Sequence, residues 1–300
     1  MTLAGPTDFS ALKGRTIFMS GGSRGIGLAI AIACARHGAN VAIAAKTAEP
    51  HPKLPGTVHT AAAEIEAAGG RALPLITDIR DDEAVIRAAA ETAEHFGGID
   101  MVVNNASAIQ LTNTIGTEPK RYDLMTGVNS RGTYVVTRAC LPYLLKSEHA
   151  RILTLSPPLD FAPQWFSNHP AYSLAKYGMS LLSYGWTHEF EGKIGVNCLW
   201  PRTAIDTAAV RNVLGGDTMA EKSRTPEIMG DAAAILLAQP LEVSGWFCMD
   251  DLVLAAHGVT DFDTYAVTPG AALIGDFFVP ASAPAPQDAG GVIGWRAPTY

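Results

Sequence analysis

The chain has 300 residues, 48 % of them hydrophobic and 17 % charged, with a formal net charge of -7 at neutral pH. That composition describes a well-packed globular chain with a sizeable core, and an acidic balance without any basic block argues against nucleic acid as a partner. The four cysteines are far apart, no apolar run is long enough to span a bilayer, and the N-terminus lacks a basic-then-apolar leader. We therefore expect a reduced, cytoplasmic protein without a membrane span or a metal site.

Residues 1–13 read as a lead-in. Thr16 to Met19 has the form of a short buried strand, and the turn Ser20-Gly21-Gly22-Ser23-Arg24-Gly25-Ile26-Gly27 follows it directly. Leu28 to His37 then reads as a helix closed by Gly38. Strand, glycine turn and helix form a phosphate cradle: the glycines let backbone approach a pyrophosphate, and the helix N-terminus offers free N–H groups. The spacing Gly-x3-Gly-x-Gly also suits a turn that binds nothing.

Val41–Ala45 is a second strand ending at Lys46, and a proline-punctuated loop runs to Thr60. A helix over Ala61–Ala68 leads to a third strand, Ala72–Thr77, which ends at Asp78. Asp81 or Asp82 caps a helix that runs to Phe96, and Ile99–Val103 is a fourth strand ending at Asn104-Asn105-Ala106-Ser107. A long helical stretch from Pro119 through Asn129 to Lys146 precedes a fifth strand, Arg151–Leu155. A loop over 156–170, a helix over Ala171–Phe190 and a sixth strand over Gly195–Leu199, ending at Trp200-Pro201, come next. A mobile-looking segment over 202–224, a helix from Pro226 to Leu237 and a strand over Gly245–Met249 complete the pattern. This alternation predicts an α/β protein with a doubly wound parallel sheet, three layers deep. Residues 1–280 form one domain on this reading, and 281–300 a flexible Pro/Ala-rich tail.

Ligands of such sheets bind at the carboxyl ends of the strands. Lys46 stands where NAD-preferring folds usually carry an acid. With Arg24 it would attract a 2′-phosphate, unless both are ordinary surface cations. Asp78 can accept from an adenine amino group or cap the next turn. Asn105 can line a cofactor floor or hold neighbouring strand ends together. Tyr172 and Lys176, at i and i+4, share one face of a helix, so an ammonium there would lower the tyrosine pKa and fit it for proton transfer. An incidental surface pair has the same spacing.

Gly21-x3-Gly25-x-Gly27, Asn104-Asn105-Ala106, Asn129, Tyr172-x3-Lys176 and Pro201 together resemble the short-chain dehydrogenase/reductase family over residues 15–250. A subfamily likeness rests on Ala44 to Lys53, Asn105 to Ile109, Leu155-Ser156-Pro157-Pro158, Leu199 to Ile205 and Asp276-Phe277-Phe278. Longer members of that subfamily append a sterol-carrier domain, which the Pro/Ala-rich end here is expected to replace. The resemblance implies NADP bound by Gly21, Ser23, Arg24, Gly25, Ile26, Gly27, Lys46, Asp78, Asn105, Lys176 and Thr203. It also implies catalysis by Tyr172, Lys176, Asn129 and Ser156. Tyr172 would exchange a proton with the substrate oxygen, Lys176 would hold the nicotinamide ribose, Asn129 would anchor a water, and Thr203 would meet the carboxamide.

One position departs from the family pattern. Ser156 lies 16 residues before Tyr172, and the family's serine, nearer the tyrosine, falls on Pro157. Losing one such donor costs about 3 kcal/mol of barrier. The sequence therefore suggests an NADP(H)-dependent oxidoreductase, a homo-oligomer acting on a small apolar substrate. Its rivals are an NADP(H)- or lipid-binding protein of low activity and a dehydratase-like enzyme. Trp165, Phe166, Trp200 and Leu214 line an apolar substrate pocket on this reading, or else pack the core or a subunit face.

Overall fold

In the computed structural model, which describes residues 7–50 and 55–297, eight strands form one sheet in the order β3-β2-β1-β4-β5-β6-β7-β8. They are β1 (Thr16–Ser20), β2 (Asn40–Ala45), β3 (Arg71–Ile76), β4 (Met101–Asn104), β5 (Arg151–Thr154), β6 (Gly195–Trp200), β7 (Trp246–Met249) and β8 (Gly294–Arg296). The first seven run parallel, and β8 pairs antiparallel with β7, so the expected flexible tail contributes an edge strand. His51, Pro52 and Lys53, and the last residues 298–300, lie outside the described residues.

Period-two alternation sends successive strand residues to opposite faces. Ile17, Met19, Val41 and Ile43 pack with α1 (Gly25–Ala35) and α2 (Val58–Ala67) on one face, while Phe18, Ala42, Ala44 and Val102 pack with α3 (Asp82–Phe96) on the other. The predicted long helix is α4 (Pro119–Thr126), a π-helical turn over Gly127–Arg131 and α5 (Gly132–Leu144). A short α6 (Gln164–Ser167) precedes α7 (Pro170–Glu189). The segment after β6 carries a π-helical turn over Val210–Leu214 and α8 (Gly216–Ala220) before α9 (Glu227–Leu237) packs on α1. No helix of the described residues is long and apolar enough to cross a membrane. The four cysteines are buried and free, as expected, and burial raises their thiol pKa values, Cys34 to about 12.

The sequence reading had no helix at Asp250–Ala256; it is α10, and it opens on two fully buried aspartates. Asp250 Oδ1 accepts from the Arg202 N–H at 2.9 Å and the Asp251 N–H at 2.8 Å. Asp251 pairs with the Arg202 guanidinium and lies 3.6 Å from Arg224 Nη1. Arg202 Nη2 then donates to Pro284 O at 2.8 Å, so the cluster ties the chain after β6 to the C-terminal segment. Above this cluster a third apolar group gathers Tyr172, Tyr177, Trp200, Leu252 and the wholly buried Phe278.

Two outcomes follow from this packing. Phe278→Ala lowers the unfolding free energy by about 3–5 kcal/mol, read from urea melts, because it removes a wholly buried ring from the core. Burial first, and then the Asp251 charge, push the Asp250 carboxyl well above the ordinary carboxylate range. The folded state therefore binds this proton more tightly than the unfolded chain, and the associated stability is lost as pH rises from about 4 toward neutrality. Asp250→Asn should flatten that part of the stability–pH curve; an unchanged slope would mean that Asp250 ionises normally.

Candidate active site

The strand order reverses between β1 and β4, and a cleft of about 590 Å³ opens there at the carboxyl ends of the strands. The glycine turn after β1, the ends of β2 and β3, residues 105–109 after β4, Leu155, Trp200, Pro201 and the helix α7 all contribute to its walls. Gly21, Ser23, Arg24, Gly25, Ile26, Gly27, Lys46, Asp78, Asn105, Tyr172 and Lys176 all line this one cleft.

Two glycines here have no substitute. Gly21 has φ +74°, and a Cβ on it would sit 2.8 Å from Ala106 Cα. A Cβ on Gly27 would sit 2.5 Å from Asn105 Nδ2 and 2.6 Å from the Gly21 carbonyl oxygen. Asn105 Nδ2 fills that space, donating to Ser20 O at 3.2 Å and Gly21 O at 2.9 Å. Ser20 Oγ in turn accepts from the Asn105 and Ala106 N–H groups at 3.1 and 3.2 Å. Of the two roles open to Asn105, it does hold the strand ends together, while also lining the cleft. The bare backbone so formed, with the N-terminus of α1 at its edge, fits a dinucleotide pyrophosphate.

At the β2 end, Lys46 Nζ stands 4.0 Å from Asp78 Oδ2, and its side chain is 60 % exposed. Asp78 is engaged by Arg80, which donates from Nη2 at 2.6 Å and from its backbone N–H at 3.0 Å. Those Arg80 hydrogen bonds, more than the Lys46 charge, hold the carboxyl below its usual range. Arg24 donates to Pro55 O at 2.9 Å and Gly56 O at 2.7 Å, holding the loop before α2 against the glycine turn.

At the other end, α7 carries Tyr172 and Lys176, both buried. Lys176 Nζ donates to Leu155 O at 2.9 Å and lies 5.1 Å from the centre of the Trp200 ring. Burial lowers its pKa to about 8, against an opposing effect of Asp276. Tyr172 departs from expectation. Its pKa is raised, by burial first and by the Asp276 charge second, so the phenol is held protonated.

Three predicted residues do not meet in the cleft. Ser156 is fully buried outside its lining, its hydroxyl lacks a hydrogen-bond partner, and it neighbours the Cys198 thiol. Asn129, within the π-helical turn, spends its side chain on Ala108, accepting from the N–H at 2.8 Å and donating to the carbonyl at 3.1 Å. It thus shapes the cleft wall through Ala108 and does not line it. Thr203 is buried in a bridge to Gly275, off the cleft; Ile205 and Thr207 line it instead, and Thr207 faces Gly25. Of the four aromatic or apolar pocket residues, Trp200 and Leu214 line the cleft. Trp165 and Phe166 instead pack on Phe278 and Tyr177, with ring centres 5.8 and 5.0 Å apart.

The sequence reading gave no role to Asp276, a half-buried residue in the cleft wall. The signal for it was the subfamily likeness of Asp276-Phe277-Phe278, which marked the stretch without assigning the acid a role.

A model of the short chain dehydrogenase family matches residues 15–215. Hydroxysteroid dehydrogenase-like protein 2 of Xenopus tropicalis is 55 % identical over 271 residues, covering 90 % of this chain and 65 % of that protein. The protein of the same name from Homo sapiens is 53 % identical over 268 residues, covering 89 % of this chain and 64 % of its own. The chain thus spans just under two-thirds of the length of these relatives. The crystal structure of a putative dehydrogenase from Xanthomonas campestris superposes with a TM-score of 0.86 at 51 % identity, covering 90 % of this chain and 99 % of that one. With the glycine turn, Asn105, Tyr172 and Lys176 arranged around one cleft, these matches make the chain a member of the short-chain dehydrogenase/reductase family of oxidoreductases.

Proposed function

We propose that the protein is an NADP(H)-dependent oxidoreductase that interconverts an alcohol and a carbonyl on a small apolar substrate of fatty, terpenoid or steroid-like character. The observation that carries this reading is the meeting of the bare-backbone turn and the Tyr172–Lys176 pair in one cleft. A nicotinamide cofactor supplies or accepts the hydride. The chain's own residues bind, orient and move the proton.

The preference for NADP(H) rests on Lys46. No acid stands at the end of β2, and the Asp78 carboxylate 4.0 Å from Lys46 is already engaged by Arg80, so a 2′-phosphate would meet an exposed cation able to turn toward it. Asn105 and the glycine turn would hold the pyrophosphate, and Lys176 the nicotinamide ribose. Ile205 and Thr207 take the place first given to Thr203. Tyr172, held as a phenol, is set to donate its proton to a carbonyl oxygen. Lys176 beside it favours the phenolate left behind. Trp200, Leu214, Ile109 and Phe277 make that end of the cleft apolar, which is the basis for the substrate class. Free, buried cysteines favour a reducing compartment, here taken as the cytoplasm, and family habit favours a homo-oligomer.

The position of Ser156 supports a second reading, a protein that binds NADP(H) or lipid and turns over slowly. With Pro157 in the serine's place and Ser156 off the cleft, the carbonyl would have one donor fewer. Tyr172→Phe separates the two. On the enzyme reading it lowers carbonyl reduction by about 10²–10⁴-fold and leaves NADPH binding intact; equal rates in wild type and variant would favour the binding protein.

The cofactor assignment has its own test, a fluorescence titration with NADPH and NADH. Lys46→Ala should weaken NADPH by about tenfold or more and leave NADH unchanged, the loss of one charge-assisted hydrogen bond of about 1.5–3 kcal/mol. Equal affinity for the two cofactors in the wild type would contradict the NADP(H) assignment.

A further inference from the structure

Beyond the segment that the family model matches, the chain returns to the cleft as a strap, Gly275-Asp276-Phe277-Phe278. Four contacts fix it. Gly275 bridges Thr203, and the Asp276 N–H donates to Arg202 O at 3.0 Å. Trp200 Nε1 donates to Phe277 O at 2.7 Å, and Phe278, at φ 65°, is wholly buried with its ring 6.0 Å from that of Tyr172. The same Trp200 presents its ring face to Lys176 Nζ, so one indole spans the strap and the lysine. The Asp276 carboxyl, with Oδ1 accepting from the Phe277 N–H at 2.6 Å, thus enters the cleft wall that Tyr172 and Lys176 also line.

We propose that Asp276 is a positioning residue of the reacting centre: from this strap its carboxyl sets the charge that Tyr172 and Lys176 meet, and so governs their protonation. The proposal rests on the reading of Tyr172 and Lys176 as the proton-transfer pair. Three titratable groups among the described residues interact electrostatically with Asp276, and a fourth packs on its neighbour. Lys176 and Tyr172, on α7, line the same cleft wall, Asp250 acts from the start of α10, and His169, before α7, packs its ring on Phe277 at 5.1 Å. Arg202 and Arg224 are drawn to Asp251 behind them.

The electrostatics agree with that placement. Burial first, and then Asp250, raise the Asp276 carboxyl to about 7, while Lys176 opposes the rise. When ionised, Asp276 favours the Lys176 ammonium and disfavours a Tyr172 phenolate; when protonated, it releases both effects. Proton transfer at Tyr172 would then be gated near neutral pH by a group outside the tyrosine–lysine pair.

The test needs no substrate. Protein labelled with [4-13C]aspartate is titrated by NMR as wild type, D276N, Lys176→Met and Lys176→Arg. The resonance missing from D276N should titrate with its midpoint at about 7 in the wild type. It should move up by about one pH unit or more in Lys176→Met and return in Lys176→Arg, since an opposite charge nearby shifts a carboxyl by that much. A purely structural aspartate would not respond to the charge at residue 176. If D276N does not fold, the resonance that moves in Lys176→Met and returns in Lys176→Arg identifies the group. A midpoint near 4 in the wild type, or no aspartate resonance responding to Lys176→Met, would overturn the proposal. NADPH titration of the same samples tests the underlying reading separately: coupling without NADPH binding refutes the NADP(H)-dependent reading, and binding without coupling refutes the role of Asp276.

Discussion

The Asn105 side-chain amide lies in a space that a single methyl group would fill, and the cleft depends on it. By donating to the carbonyls of Ser20 and Gly21, it fixes the glycine turn against the end of β4. Two further bonds to Ser20 Oγ lock the loop that starts at Ala106. This closeness is possible only because Gly27 has no side chain and Gly21 adopts a left-handed φ. The strands diverge just beyond, where the sheet order reverses, and the cleft is the space they leave. The turn that appears in the sequence as a ligand motif is thus equally a packing solution. One set of glycines serves both, so the motif alone could not distinguish a cradle from a tight turn.

A second constraint acts at the opposite end of the cleft. The sequence interposes prolines where the family places its serine, and the loop over 156–170 is tied to itself and to α7. Tyr177 donates to Asp160 O, Ser180 Oγ donates to Pro157 O at 2.7 Å, and Trp165 Nε1 donates to Asp160 Oδ2 at 2.9 Å. The aromatic side chains of this loop are used in that closure, which is why Trp165 and Phe166 pack and do not line. The polar wall that the loop does not supply comes instead from the strap at Asp276. Buried carboxylates are costly unless paired, and the chain places two of them, Asp250 and Asp251, with the half-buried Asp276 between β6 and the C-terminal segment. The Arg202 and Arg224 guanidiniums offset Asp251, two backbone N–H groups serve Asp250, and Asp276 lies in the cleft wall that Lys176 also lines.

The layered sheet was legible because buried parallel strands read as short apolar runs separated by helical crossovers, and every strand from β1 to β7 carries that signal. β8 did not, since Gly294–Arg296 is three residues in a Pro/Gly-rich stretch whose pairing depends on a partner some 45 residues earlier. Spacing within one helix found Tyr172 and Lys176 together, because i and i+4 is a local rule. Thr203 and Ser156 were assigned by likeness, and their placement is set by a bridge to Gly275 and by the neighbourhood of Cys198, both distant in sequence. Asp276 stood in a stretch found by likeness, but its place in the cleft wall was hidden for the same reason. Asn129 was found by likeness, yet its side chain serves Ala108, a pairing across 21 residues that no periodicity encodes.

The central claim is that the turn held by Asn105 is a nicotinamide dinucleotide cradle. Hydrogen exchange read by mass spectrometry, with and without NADPH, tests it most directly. Residues 20–28, 104–109 and 205–210 should gain protection together, while the far edge at β3 and the helix α3 stays unchanged. Protection absent from the glycine turn, or confined to the apolar end near Phe277, would contradict it and leave the cleft a lipid pocket on a borrowed fold.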